Sequence, residues 1–239
     1  NYQIKENKIY LQSQISNNFR APTFNDLYWP QGGNEDLSPE RAFKSEVGIG
    51  ITDEFLSMGD HNFTVYRSQI SDGIRWTPSS GSTFQAQNYL SLLSYGAEWS
   101  ASKSFKFGNF RTRYFHSASY TRATIDKSRF DGDQAVNNQL PYVPKWKYSG
   151  TISTTNKNVT MLFSSRWVSE RFSTEQNNIR NPEPSFFVSD VSASYLLKFN
   201  STDVQFKLSV NNLFNRRYEI VRLYPQPLRN FLFSIIIKH

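Results

Sequence analysis

Toward the C-terminal end of this 239-residue chain, Val204, Phe206, Leu208 and Val210 alternate with Gln205, Lys207, Ser209 and Asn211. One run earlier, Val191, Ala193, Tyr195 and Leu197 alternate in the same way with Asp190, Ser192 and Ser194. A period of two sends successive side chains to opposite faces of an extended chain, so each run reads as a strand with one apolar and one polar face. The pattern predicts about ten strands, near residues 8–19, 40–52, 61–76, 88–102, 109–123, 145–155, 159–170, 185–198, 203–218 and 229–239. Connections alternate in length. Those at 20–39, 77–87, 124–144, 171–184 and 219–228 are long and rich in Pro, Gly, Asn, Asp and Ser, whereas 53–60, 103–108, 156–158 and 199–202 are shorter. Thr155-Asn156-Lys157-Asn158 and Asn200-Ser201-Thr202-Asp203 have the composition of tight turns.

Antiparallel strands with one lipid-compatible face, short turns at one end and long loops at the other describe an all-β transmembrane barrel. Many of the predicted strands exceed the roughly 9–11 residues that a tilted strand needs to cross the hydrocarbon, so such a barrel would stand proud of the membrane. A soluble, lectin-like β-sandwich is the competing fold, but sandwich strands usually run only about 5–6 residues. A third class is an adhesin or enzyme on a small barrel that closes on its own ten strands. The strand near Lys8 to Phe19 has nothing upstream to pair with. An open edge in lipid would leave backbone groups unsatisfied at several kcal/mol each, so we expect the chain to be the C-terminal portion of something longer.

Composition changes this picture little. Twenty Phe, 13 Tyr and 5 Trp suit the aromatic girdles of a membrane barrel, although a β-rich core also favours aromatics. The mean hydropathy of −0.58 fits a barrel whose strands are half wet and whose loops are polar. No run approaches the ~18 continuous apolar residues of a transmembrane helix. The chain has no cysteine, which argues against a disulfide-stapled domain. Its +7 formal charge is spread singly along strands and loops without a basic run, so nucleic acid is not an expected partner. That scattered charge suits a wet lumen and loop surface, with anionic lipid head groups as a further partner.

Catalytic chemistry is poorly served. There is no H-E-x-x-H, phosphate-binding glycine loop or G-x-S-x-G elbow, and His61, His116 and His239 have no metal-ligand spacing. We therefore expect no enzyme, no bound metal and no cofactor. Asp131-Gly132-Asp133 lacks the rest of a calcium loop and reads as a solvated turn. The N-x-S/T triplets at Asn62, Asn158 and Asn200 read as chance matches.

Two motifs carry more. The first spans residues 15–50 and contains Phe19, Arg20, Ala21, Pro22, Thr23, Phe24, Asn25, Asp26, Leu27 and Tyr28. It continues with Gly33, Asn34, Glu35, Asp36, Leu37, Ser38, Pro39 and Glu40, then Glu46 and Gly48. The second holds Val210, Asn211, Asn212, Leu213, Phe214, Asn215, Arg216, Arg217 and Tyr218, followed by Tyr224, Pro225, Gln226, Pro227, Leu228, Arg229, Asn230 and Phe231. Together these resemble the boxes of TonB-dependent outer-membrane receptors: an FRAP-type strand end, an N-P-x-L-x-P-E-type strand start, a penultimate strand and a Y-P-x-P-G-R-type last loop. Glu35 replaces the family's usual proline, Leu228 its last-loop glycine, and His239 its aromatic terminus.

The resemblance implies a 22-stranded barrel with a plug, of which residues 1–239 supply about the last ten strands. It implies uptake of a scarce nutrient across the bacterial outer membrane. Expected partners are outer-membrane lipid and lipopolysaccharide, the plug and earlier strands of the same receptor, the inner-membrane TonB complex and a surface lipoprotein. Haem receptors often carry a histidine between the two boxes, and Thr23 to Gly33 contains none. The short FNDLYWPQGGNEDL segment looks most like receptors for cobalamin, with small catecholate ferric siderophores next. Tyr28, Trp29, Gln31, Trp76 and Tyr224 are the ligand-binding candidates, with rim packing as the alternative role for each. The box residues have structural parts to play: Pro22 and Gly33 in steering the chain, and Arg20 with Glu40 as a cross-strand ion pair in which a charge swap should restore what single neutralisation loses.

Overall fold

The computed structural model describes residues 2–5, 8–52, 58–78, 84–127, 132–179, 182–199 and 201–238. Asp131, Asn200 and His239, named above for a calcium-like turn, a tight turn and the terminal residue, lie outside the described residues. Eleven strands form one sheet: β1 (Tyr2–Lys5), β2 (Ile9–Arg20), β3 (Glu40–Ile51), β4 (Asp60–Pro78), β5 (Phe84–Phe107), β6 (Phe110–Ile125), β7 (Trp146–Asn156), β8 (Val159–Val168), β9 (Phe186–Phe199), β10 (Thr202–Asn211) and β11 (Asn230–Lys238). Their order in the sheet is their order in the chain, and every neighbouring pair is antiparallel. This is part of a barrel wall. No second sheet packs against it among the described residues.

The period-two pattern survives as two physical faces. In one register row Leu208 lies between Ala193 and Phe233, and in the next Phe206 lies between Tyr195 and Ile235. The row between them is polar, joining Ser194, Lys207 and Ser234. Side chains on the polar face bond across strands: Tyr10 to Asn62 at 2.6 Å, Tyr66 with Thr121 at 2.8 Å, and Ser117 with Ser149 at 2.8 Å. The apolar face instead leaves large side chains open. Val65, Trp99, Phe163, Leu208, Phe233 and Ile235 are all exposed by a third or more. Water would not tolerate so extensive a continuous greasy surface, so this face is the one that meets lipid and the polar one lines the lumen.

Buried hydrophobic residues are few and mostly small, Ala86, Ala101, Ala123 and Ala135 among them, so no dry centre of the sandwich kind exists in the described residues. Strand length supports the tall-barrel reading, with β5 running 24 residues and β4 19. The long connections all leave from the same end of the sheet, the rim.

Four details differ from the sequence expectation. A short β1 pairs with β2, so the strand beginning at Ile9 does have an upstream partner. The ends of β4 and β5 reach further into their loop than residues 76 and 88. The strand expected over 203–218 stops at Asn211, because Asn212 takes a left-handed backbone with φ 51° and turns the chain. Finally, the loop after β2 carries a five-residue helix, α1 (Phe24–Tyr28), opened by a reciprocal cap between Thr23 and Asp26.

Candidate functional site

Two knots of side chains organise the rim. The first is tied where β2 enters its loop. Arg20 and Glu40 are register partners, and the guanidinium meets the carboxylate through Nε at 2.5 Å and Nη2 at 2.7 Å. Glu40 also accepts the backbone N–H of Ile74 at 2.7 Å, just past a bulge at Asp72 and Gly73 in β4. Arg20 reaches Asp26 at 3.9 Å. Asp26 is buried and accepts from Thr23 N, Thr23 Oγ1 and the Trp76 indole N–H at 3.0, 2.7 and 3.0 Å. Burial opposes its ionisation, but those hydrogen bonds and Arg20 more than offset it, and the carboxyl is held below the usual carboxylate range. One buried acid thus fastens α1, β2 and β4 together.

The rest of the loop is stitched to β5. Ala86 N donates to Gly32 O at 2.9 Å, and Asn34 Nδ2 to Ala86 O at 3.2 Å. Asn88 accepts from Ser38 N and donates to the carbonyls of Ser38 and Asp72. A Cβ at Gly32 would fall 1.8 Å from Phe84 O, and one at Gly33 2.5 Å from Trp29 N. Both glycines therefore permit close backbone approach. Leu37 is buried beneath this fold, whereas Phe19, Ala21 and Pro39 are exposed and Pro22 half-buried.

The second knot joins the end of β10 to the start of β11. Asn212 is buried; its N donates to Asp190 Oδ1 at 2.7 Å, its Oδ1 accepts Arg216 N, and its Nδ2 serves the carbonyls of Arg216 and Pro227. Leu213 N bonds Ser189 O, and Arg229 is held by Asn215 Oδ1 and Leu213 O. Tyr218 turns back toward the lumen face. Its ring packs on Phe186 at 4.5 Å, and its hydroxyl accepts from Arg166 at 2.8 Å. Arg171, almost wholly buried, lies 5.1 Å from the Phe186 ring and donates to the carbonyls of Pro184 and Glu219. Between these parts lies a hollow of 490 Å³ lined by Glu183, Pro184, Arg217, Tyr218, Pro225 and Gln226 among others.

The two loops between the knots are zipped together. Gln139 N donates to Asn177 Oδ1 at 2.8 Å and Asn177 Nδ2 returns to Gln139 O at 2.7 Å. Tyr142 N meets Phe172 O, and Asn138 reaches the Glu175 carbonyl. Glu175 in turn pairs with Arg75 of β4, so the loop after β8 is anchored back to the first knot's strand.

Of the ligand candidates, Tyr28, Trp29, Gln31 and Trp76 come from one knot. Tyr28 and Trp29 are 55% and 49% exposed, and Gln31 is exposed beside them, so these three present free surface. Trp76 has given its indole N–H to Asp26. Tyr224, 70% exposed, stands apart on the last loop, as does exposed Phe214. Sequence reasoning missed α1, although Thr23-Phe24-Asn25-Asp26 is a readable capping pattern. It also missed Arg166 facing Tyr218, and the Gln139–Asn177 pairing, for which no local signal exists.

The family model described as "TonB dependent receptor-like, beta-barrel" matches residues 1–213. The chain belongs to that family, whose members are outer-membrane proteins. A vitamin B12 transporter, BtuB, of Vibrio vulnificus (strain YJ016) is 48% identical over 61 residues, which is 26% of this chain and 10% of that protein. BtuB of Vibrio vulnificus (strain CMCP6) is 24% identical over 236 residues, covering 98% of this chain and 35% of that protein. The chain thus spans about a third or less of the curated relatives' length. Among solved structures it is similar to the copper transporter OprC, with a TM-score of 0.74, 18% identity, and coverage of 98% and 38% of the two chains. It is also similar to the ferric citrate transporter FecA, with a TM-score of 0.73, 16% identity, and coverage of 99% and 37%. These relatives are transporters, and at such identities the two structures speak for the fold alone.

Proposed function

We propose that residues 1–239 form the C-terminal part of the barrel of a TonB-dependent importer in the bacterial outer membrane, and that its ligand is cobalamin. The observation that carries the importer reading is the single meander with a lipid-compatible outer face, a wet inner face and a rim of ordered long loops. The local 48% identity to a vitamin B12 transporter favours cobalamin. A ferric siderophore is the second reading, carried by the likeness of the short FNDLYWPQGGNEDL segment to receptors for small catecholate siderophores as well. No bond is made or broken in either case. Ligand is captured at the mouth, and the inner-membrane TonB complex draws on a plug that the remainder of the receptor supplies. Tyr28 and Trp29 offer aromatic faces for stacking on a large planar ligand, Gln31 an amide beside them, and Tyr224 a further ring from the last loop. Trp76 acts behind them by positioning α1 through Asp26.

The test is equilibrium binding of cyanocobalamin and of ferric enterobactin to the full-length receptor in detergent. Cobalamin binding that weakens about tenfold in Trp29→Ala and Tyr28→Ala is expected, the loss of a stacked aromatic being worth roughly 1–1.5 kcal/mol. Binding of the siderophore with no measurable cobalamin affinity overturns the ligand assignment. Full affinity in both variants removes these two residues from the site.

A further inference from the structure

At the end of the sheet opposite the rim, three cations converge on one hollow. The β5–β6 turn at residues 108–109 and the β7–β8 turn at residues 157–158 flank a recess of 460 Å³ lined by Lys106, Arg111 and Lys157. Lys106 and Arg111 are direct register partners, which sets two like charges about 5 Å apart at Cβ. One row further in, Arg113 gives its Nε–H to Ser104 Oγ at 3.1 Å. All four cations are exposed.

No carboxylate lines this recess among the described residues. From β5 to β8, the two lumenal rows nearest the turns read Ser104, Arg113, Ser153, Leu162 and Lys106, Arg111, Thr155, Thr160. Asp60 stands one row further in, opposite Ser102 and on the far side of β5. Like charges placed directly opposite destabilise a strand pair, and the β7–β8 turn adds a third at a cost of its own. Lys157 takes a left-handed backbone, φ 49°, which Gly or Asn adopts with less strain. The turn therefore keeps a cation where a better turn former exists.

Two geometric facts select the occupant. The alternation that sends Glu98 and Lys147 to the lumenal face also sends Lys106 and Arg111 there, so the recess does not open onto lipid. It lies between turn tips, and a Cβ at Gly108 would meet nothing within 4 Å, so it opens past the end of the wall rather than up into the lumen. Short turns mark the periplasmic end of such barrels. Three exposed cations, each worth little alone, favour a ligand that brings several carboxylates on one chain.

We propose that this recess docks an acidic peptide segment of a periplasmic protein, whose Asp or Glu carboxylates pair with Lys106, Arg111 and Lys157. The inference takes its sidedness from the barrel reading and is independent of which nutrient is imported.

Fluorescence anisotropy of a labelled hexaglutamate peptide, titrated with the full-length receptor in non-ionic detergent at low salt, tests it. Affinity should fall roughly tenfold in the triple variant Lys106→Gln, Arg111→Gln, Lys157→Gln, each exposed pair contributing a factor of a few. A second triple variant, Arg41→Gln, Arg67→Gln, Arg122→Gln, removes the same charge from the outer face and should bind as the unaltered receptor does. Lys157→Asn alone should weaken the peptide yet raise the denaturant midpoint, because it relieves both the turn and the repulsion. Heat-modifiable migration in SDS gels verifies that each variant is folded. Undiminished affinity in the first triple variant overturns the proposal, as does an equal loss in the second, which would mark attraction to net charge alone. Absence of peptide binding to the unaltered receptor overturns it outright. Cobalamin binding is read separately, so failure of either reading leaves the other standing.

Discussion

At Asp26 a single carboxylate is asked to hold a helix, a strand end and an indole. Its hydrogen bonds come from Thr23 and Trp76, with Arg20 near by. Because its folded pKa lies below the ordinary value of 3.8, its contribution is complete above that value and is lost as pH falls through the folded pKa. Acidification below about pH 4 should therefore loosen α1 before the wall itself responds. Trp76 fluorescence in a variant lacking the other tryptophans would report it as a transition that Asp26→Asn removes. Asn212 makes a different kind of demand. It is buried, left-handed at φ 51°, and engaged through its backbone N–H and both ends of its amide. Asn212→Gly keeps the backbone but drops the side-chain bonds, at about 1–3 kcal/mol. Asn212→Ala adds roughly another 1 kcal/mol for the left-handed conformation. Denaturant midpoints of the refolded receptor should fall in that order.

Pairing elements rather than single residues changes one expectation. From sequence, Arg20 and Glu40 read as an isolated cross-strand pair that a charge swap would restore. In the folded rim each has a second obligation: Glu40 caps Ile74 N at the β4 bulge, and Arg20 faces Asp26. In Arg20→Glu with Glu40→Arg, a guanidinium would confront a backbone donor and a glutamate would confront Asp26. The swap should thus be no more stable than Glu40→Gln alone, a result that thermal unfolding of the three variants can check. The same contrast explains what was legible beforehand. Strands declare themselves through a local period, so β3, β7, β8 and β9 fall within a few residues of where alternation puts them. Asn212 ends β10 early because an asparagine can turn left-handed without breaking the polar pattern around it. The Arg166–Tyr218 contact and the Gln139–Asn177 zipper join residues 52 and 38 positions apart, and nothing local encodes them.

For the whole molecule the governing fact is that one wall separates two solvents. Leu208 and Lys207 are neighbours in sequence, yet the register puts Leu208 among Ala193 and Phe233, and Lys207 among Ser194 and Ser234. Identical chemistry should therefore have unequal consequences on the two faces. Leu208→Lys places an ammonium against hydrocarbon and should cost about 2–4 kcal/mol if that row lies near the midplane, less toward either interface. Gln205→Lys, on the wet face beside Asp203 and Lys207, should change stability by no more than about 0.5 kcal/mol, as surface substitutions usually do. Urea titrations of the receptor in phospholipid vesicles would measure both. The decisive feature is the sign of the difference between environments: moving the same receptor from vesicles into a bulky polar polymer that wets the outer wall should shrink the Leu208→Lys penalty and leave Gln205→Lys unchanged. A wall buried against a second sheet would respond the other way, with Leu208→Lys costly in every solvent because a dry interior travels with the protein.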